Sequence, residues 1–374
     1  MRPRTYFIGS EIYRNSRYAN RHPLAIPRVS TVIDLARALH WLPDEVYLDS
    51  PVASVEELCR FHDPDYVAAV QRAERQQKTD PELRDRYNIG RMENPVFGEI
   101  FRRPATAAGA SLLAADMIAD DRADRIYTPA GGTHHGQPDR ASGFCYFNDP
   151  VLCIRRLQDR GVRRIAYVDL DAHHCDGVEA ATFGDEDVLT ISTHEHGRWP
   201  HDATVVQRQS RSVVNIAMPR GTNDAEFRLL IDHLVLPRVH QFDPEVLIVQ
   251  AGADALDDDP LSRLSLSNRA LWRTIRQIDR IAPKMIVLGG GGYNPWSVAR
   301  CWTGIWGVIA GFARPSRLPQ GAESVLRALT WQRSAGRNPP AHWFTTLADQ
   351  LTDLPVRPEI RTLMQEEAGV AHVA

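Results

Sequence analysis

Long apolar runs are missing from this chain. The longest, Ala105 to Ala119, is rich in alanine and interrupted by Asp116. A bilayer span needs about 20 apolar residues, so this stretch reads as a buried helix. Cysteine is sparse: Cys59, Cys145, Cys153, Cys175 and Cys301 are widely spread, odd in number and without a CxxC pair. That argues against a disulfide framework and for reduced thiols in a cytoplasm. No excess of charge of either sign exists, with 44 basic and 47 acidic residues and a formal net charge of −3. Nothing in that balance marks a nucleic-acid or membrane-surface binder. The apolar run near the N-terminus is too short for a signal peptide. There is no internal repeat and no low-complexity tract. A cytoplasmic enzyme is the expectation.

What is present fits a globular chain. Its 374 residues are 43% hydrophobic and 24% charged, enough for a large core. Without a composition shift, the whole of 1–374 reads as one domain. Short β-branched runs alternate with helical patterns. Strands are expected at Arg125–Thr128, Arg164–Val168, Val188–Ser192, Val213–Ala217, Val246–Val249 and Met285–Leu288. Helices are expected near Pro150–Arg160, Asp224–Val239, Asn268–Ile281 and Pro295–Ala310. Continuously apolar strands separated by helices point to an α/β fold, its sheet mostly parallel and covered on both faces. Arg75 to Glu93, Glu195 to Ser212 and Arg314 to Gly321 read as surface loops. An open sheet of this kind builds its site in the loops beyond the strands' carboxyl ends.

Polar residues collect just there. After the second strand comes Asp169-Leu-Asp-Ala-His-His-Cys-Asp176, with three acids and two histidines in eight residues. In extended backbone Asp169, Asp171 and His173 point the same way. Carboxylate and imidazole converging suit zinc. A polar loop capping the next helix through Asp176 is the plainer reading, and it would prevail for a lone Asp-x-His. Asp254 stands at the same sheet edge, after Val246–Val249. Three protein ligands and an open position is the catalytic zinc pattern. The acids Asp257, Asp258 and Asp259 read as a solvated turn.

Gly131-Gly-Thr-His-His135 follows the first strand. A histidine pair beside a metal can move protons near neutral pH, and Asp169 and Asp176 are spare carboxylates to orient the rings. The last strand leads into Gly289-Gly-Gly-Gly-Tyr-Asn294, which is neither GxGxxG nor a P-loop. It reads as a bend presenting Tyr293, whose phenol can donate to a developing oxyanion; packing at a helix start is the bland alternative. Gly143-Phe-Cys-Tyr-Phe-Asn148 is an aromatic loop that either lines a channel or belongs to the core.

Together these segments, with Ala141–Tyr146, Tyr167–Val178, Leu288–Asn294, Phe61–Tyr66 and Arg300-Cys-Trp302, resemble the zinc-dependent histone deacetylase family, including its bacterial deacetylase-like and acetoin-utilisation members. The resemblance runs from about His22 to about Trp306. It implies the three-layer arginase/deacetylase-like fold, with a catalytic core at about 20–310 and a helical extension at about 311–374. It also implies hydrolysis of acyl-lysine amides by metal-activated water, with His134 and His135 paired to Asp169 and Asp176 and with Tyr293 as oxyanion donor. Asp171, His173 and Asp254 fall on the zinc ligands. Asp169, Asp171, His173, Ser192 and Thr193 fall on a structural potassium site, partly through backbone oxygens. Gly143 and Phe144 fall on the acyl-lysine tunnel, Trp199 on its opposing wall and Leu261 on its rim. Arg28 falls near the product exit.

Three residues and one loop depart from the family pattern. Glu93 stands where many members have Asp, Trp199 replaces a usual Phe, Thr133 replaces larger apolar residues, and the loop from Glu195 to Ser212 is short. These bear on the substrate: an acyl-lysine protein or peptide, or a small acylated amine. An acetylpolyamine amidohydrolase is the first alternative, with Glu93 as a mild pointer. A two-manganese ureohydrolase and a non-catalytic acyl-lysine binder are weaker ones.

Overall fold

The computed structural model describes residues 3–18, 22–201, 212–352 and 354–373. Eight strands form one sheet: β1 (Thr5–Gly9), β2 (Tyr47–Asp49), β3 (Arg125–Thr128), β4 (Ile165–Asp169), β5 (Val188–Glu195), β6 (Val213–Met218), β7 (Val246–Gln250) and β8 (Lys284–Leu288). Their spatial order is β2-β1-β3-β8-β7-β4-β5-β6, and all of these pairings are parallel. The six expected strands are all there, with β5 running on to Glu195. Two strands escaped the sequence reading, the edge strand β2 and its neighbour β1. β1 is the apolar run near the N-terminus, and β2 is too short to show a period.

Alternation along the strands sorts side chains into two layers. Ala166, Val168, Leu247, Val249, Met285 and Val287 face the larger core, with residues of helices Val29–Ala38, Asn268–Ile278 and Pro295–Ile309. Ile165, Tyr167, Val246, Ile248 and Ile286 face the other side, against Arg102–Ala119 and Asp149–Asp159. The central strands are buried on both faces, hence their continuously apolar sequences. A third cluster, including Tyr66, Phe97, Tyr146 and Phe147, lies off the sheet and reaches Tyr293.

The chain lays β4, β5 and β6 outward, then returns to fill the gap between β4 and β3 with β7 and β8. This return sets the carboxyl ends of β3, β8, β7 and β4 side by side. The four clusters read from sequence follow those four strands, so the topology gathers them at one edge.

The expected helices are observed with shifted ends. The helix from Asp224 continues through a wider turn at Ile231–Val235 to Phe242. The expected loop at Arg75–Glu93 contains a short helix, Pro81–Asp85, whose Leu83 N–H donates to the Asp80 carboxylate at 2.8 Å. Most of the expected loop at Glu195–Ser212, residues 202–211, lies outside the described residues. Among the described residues no helix is long and apolar enough to cross a membrane. All five cysteines are free thiols.

The C-terminal segment is tied to the core. Leu318, Ala322, Leu326, Trp343, Leu347 and Ile360 join the larger cluster. Arg357 reaches back to Glu226, a fully buried carboxylate, donating from its backbone N, Nε and Nη2 at 2.9, 2.7 and 2.8 Å. Burial raises the Glu226 pKa, but these bonds outweigh it and hold the group below its ordinary value. Arg357→Ala is expected to cost about 1–3 kcal/mol at neutral pH, because it strands a buried charge. A lowered folded pKa contributes stability above the unfolded pKa and loses it as pH falls through the folded value. The gap between wild type and variant, measured by urea unfolding, should therefore close on acidification; a gap constant with pH would refute the assignment.

Candidate active site

The loop after β4 is folded by its own acids. Asp169 Oδ1 accepts the N–H of Asp171 at 3.0 Å, and Asp171 Oδ1 accepts that of His173 at 2.9 Å. Asp254 Oδ1, from the loop after β7, accepts the N–H of Ala172 at 3.0 Å, and Asp171 Oδ2 accepts that of Gly291 at 2.7 Å. These bonds lace three strand ends together. Asp171, His173 and Asp254 are buried, and one potential ligand atom from each lies within 4.8 Å of the others. His173 Nδ1 sits 3.1 Å from Asp171 Oδ1 and 2.9 Å from Asp254 Oδ2. Asp169 does not join this triad. Gly291 is required by close approach: a Cβ there would land on Asp254 Oδ2.

The electrostatics favour a cation. Burial raises both carboxylates. For Asp171 the His134 charge and the His173 hydrogen bond outweigh burial and hold it below its ordinary value. For Asp254 the neighbouring Asp171 charge adds to burial and lifts it to about 6. Burial lowers His173, but its bonds to Asp171 and Asp254 prevail and raise it to about 10. Two buried carboxylates thus draw a proton onto the imidazole between them. A divalent ion with a taste for oxygen and nitrogen answers the same need.

Beside the triad lie the two histidines. His134 Nδ1 is 2.7 Å from Asp169 Oδ2, and His135 Nδ1 is 2.6 Å from Asp176 Oδ1. Their ring centroids are 3.9 Å apart. Burial lowers His134, but Asp169 and Asp171 outweigh it and raise the ring to about 9. Burial and the His134 charge push His135 down to about 4 despite Asp176. Both Nδ1 atoms are engaged, so Nε2 is the nitrogen each ring has left. The Tyr167 hydroxyl donates to Asp169 Oδ2 at 2.6 Å and lies 2.8 Å from the Gln250 side chain. Asp176 opens helix Asp176–Thr182 rather than capping it, since the N-cap position is Cys175.

Tyr293 is 7% exposed, its backbone N–H donating to Asp259 Oδ2 at 2.7 Å. Asp259 is buried, which corrects the reading of Asp257–Asp259 as a solvated turn: only Asp257 and Asp258 are exposed. Burial, Asp254 and Asp171 all keep the Tyr293 phenol protonated, well above its ordinary pKa. The aromatic loop serves both readings. Tyr146 and Phe147 are core, while Phe144 faces Tyr293 at 5.8 Å between ring centroids.

The histone deacetylase domain matches residues 22–309. The chain belongs to that family. It is 32% identical to the acetoin utilization protein AcuC of Bacillus subtilis over 95% of this chain and 93% of that protein. It is 31% identical to histone deacetylase 8 of Xenopus tropicalis over 78% and 80% of the two chains. The structure of a histone deacetylase homologue from Aquifex aeolicus matches it with TM-score 0.92, 33% identity, and 97% and 99% coverage. A second structure, of such a homologue complexed with SAHA, matches equally well. This deacetylase-family chain is a hydrolase acting on amide bonds, with the expected arginase/deacetylase-like fold.

The family residues expected at the channel do meet. A cavity of about 360 Å³ is lined by Glu93, Gly143, Phe144, Trp199, Leu261 and Tyr293, and leads past His135 and His173. Glu93 accepts a short hydrogen bond from the Gly143 N–H. Gly143 has φ +53°, and a Cβ there would run into the Trp199 ring and sit 2.6 Å from His135 Cδ2. A smaller cavity of about 40 Å³ shares His135, Gly143, Phe144, His173 and Tyr293 with the channel cavity and is bordered also by Asp171, Leu24, Arg28, Gly132, Thr133 and Cys145. Arg28 donates from Nη1 to Gly290 O at 2.8 Å. A larger cavity between residues 13–18, 22–27 and 328–333 holds none of the triad, the histidine pair or Tyr293. Ser192 stands opposite Asp169 in the β4–β5 register, and Thr193 Oγ1 donates to Asp169 O at 3.1 Å, so the residues expected around potassium are neighbours.

Sequence reasoning missed Gln250 and Asp149 as parts of this site. Gln250 Nε2 lies 2.9 Å from His134 Nδ1. Asp149 is wholly buried and accepts the N–H groups of Gly132 and Thr133 at 3.0 and 2.8 Å and the Ser111 hydroxyl at 2.6 Å. It thereby shapes the loop carrying the histidines. Asn148-Asp-Pro150 is a helix-start signal in sequence, but the second task of Asp149 needs the fold. Asp149→Ala leaves those donors unpaired, at about 1–3 kcal/mol for each buried group. A loss near 3 kcal/mol in urea unfolding is expected; a loss under 1 would mean that water replaces the carboxylate.

Proposed function

We propose that this chain is a zinc-dependent lysine deacylase that hydrolyses acyl-lysine amides in proteins or peptides, working as one cytoplasmic domain. The observation that carries the reading is the convergence of Asp171, His173 and Asp254 beside two carboxylate-paired histidines at the base of a lined channel. Asp171, His173 and Asp254 would hold the zinc, which when bound would supply Lewis-acid polarisation of the carbonyl and a water acidified toward pKa ~7. In this reading the chain's own groups do the rest. Glu93, Gly143, Phe144, Trp199 and Leu261 align the aliphatic stem. Tyr293, kept protonated, donates to the oxygen that becomes negative as the carbonyl turns tetrahedral. His135 accepts the water proton at Nε2, and the histidine pair returns a proton to the departing amine.

The split between the two rings, about 9 for His134 and about 4 for His135, supports His135 as the base at neutral pH and His134 as the charged neighbour. Asp169 and Asp176 hold each ring with its Nδ1–H toward a carboxylate, and the neutral His135 thereby presents Nε2 as its acceptor. We further assign Asp169, Asp171, His173, Ser192 and Thr193 to a structural potassium ion, and Arg28 to the path by which the small acid leaves.

An acyl-lysine reporter tests this. Tyr293→Phe is expected to lose about 10²–10³ in kcat, the typical loss for one oxyanion donor. His135→Ala should lose about 10²–10⁴, the range for general base catalysis. A chelator should abolish turnover and zinc restore it. Full activity in either variant, or indifference to the chelator, would sink the scheme.

The acetylpolyamine alternative loses ground at the channel mouth. Glu93 already serves the Gly143 N–H, and Arg198 lines the same opening. Acetyl-lysine peptides are expected to be cleaved with higher kcat/KM than N-acetylspermidine, and the reverse order would restore that alternative.

A further inference from the structure

Resting on that proposed reaction, we infer that Arg198 selects substrates by binding an acidic side chain next to the acyl-lysine. Arg198 was not singled out in the sequence, yet it lines the same opening as Glu93 and Leu261. It immediately precedes Trp199, whose ring lies 4.7 Å from that of His135. The guanidinium therefore stands one residue outside the channel wall, where the residues flanking an inserted lysine must pass.

Its geometry is that of a prepared donor. Nε and Nη2 donate to the two oxygens of Glu195 at 2.6 and 2.8 Å. Glu195 is 4% exposed, ends β5, and takes a further bond from the Arg263 N–H at 2.7 Å. Glu195 is thus spent on internal bonds, and the guanidinium is anchored to the sheet rather than waving from a loop. The clamp leaves Nη1 outside it, on a side chain 27% exposed. Arg263 holds the same Glu195 oxygen through its main-chain N–H, which further fixes the carboxylate that anchors Arg198. A planar guanidinium fixed on one edge loses little freedom when its other edge meets a carboxylate. A flanking Asp or Glu fits this; a flanking Lys is repelled.

The charge is part-exposed, so the discrimination is modest: about three- to tenfold in kcat/KM between acidic and basic flanks, falling as salt is raised. The test uses the zinc-loaded full chain and three acetyl-lysine peptides that differ only in carrying Asp, Ala or Lys beside the modified residue. Both kcat/KM and, by fluorescence polarisation, Kd are measured for wild type, Arg198→Gln and Arg198→Lys. The expected order is Asp, Ala, Lys, with the Asp-to-Lys ratio collapsing in Arg198→Gln and partly kept in Arg198→Lys. Equal Kd for the three peptides in wild type, or an order that persists in Arg198→Gln, overturns the inference. If the peptides bind in the expected order but none is cleaved, the deacylase reading fails while the role of Arg198 stands.

Discussion

Two carboxylates cut off from water, Asp171 and Asp254, stand against a single imidazole at the carboxyl edge of the sheet. That concentration of charge is costly unless a cation shares it, and much of the surrounding structure serves it. The glycine at 291 lets the backbone come within reach of both acids. The N–H groups of Ala172, His173 and Gly291 are spent on them. The return of β7 and β8 between β3 and β4 brings the acids together in the first place.

The histidine pair inherits its character from the same charges. Equal in sequence and each bound to an aspartate, the two rings titrate apart because His134 lies close to Asp171 and Asp169, while His135 meets burial and its charged neighbour first. Asp149 and Asn148 hold the loop from beneath. Asn148 Nδ2 donates to the carbonyls of His134 and Gly136 at 3.2 and 2.9 Å. His62 accepts the Asn148 N–H at 2.9 Å. The Phe61–Tyr66 motif thus bears on the histidines through their support rather than through the channel. Such outer bonds fix ring orientation, without which proton transfer has no reproducible path.

Under the proposed function, substrate choice would fall to the rim. Trp199, Phe144 and Gly143 set a narrow passage, and Glu93 and Arg198 give its mouth one charge of each sign. Each of these two side chains is bonded internally, one to the Gly143 main chain and the other to Glu195. Their positions are therefore determined by the protein rather than by whatever binds.

Legibility differed with the range of the interaction. The central strands were readable because burial on both faces demands an unbroken apolar run. The triad's Asp171 and His173 were readable because two residues in one loop share a spacing, and the family motifs added Asp254, the histidines and Tyr293. β2 was not, being a three-residue strand at the sheet edge, and neither was β1, whose Thr5 and Tyr6 are only half-buried. Asp259 looked like its solvated neighbours Asp257 and Asp258 until the fold turned it inward beneath Tyr293. Gln250, Asp149 and Arg198 carry no local pattern, since what each does depends on partners far away along the chain. The amino-acid order by itself determined which chemical groups follow which strands, because that is a matter of local period and motif. Which of them meet, and with what charge, was decided only by the tertiary structure: strand order sets distance, and distance in a buried site sets both hydrogen bonding and protonation.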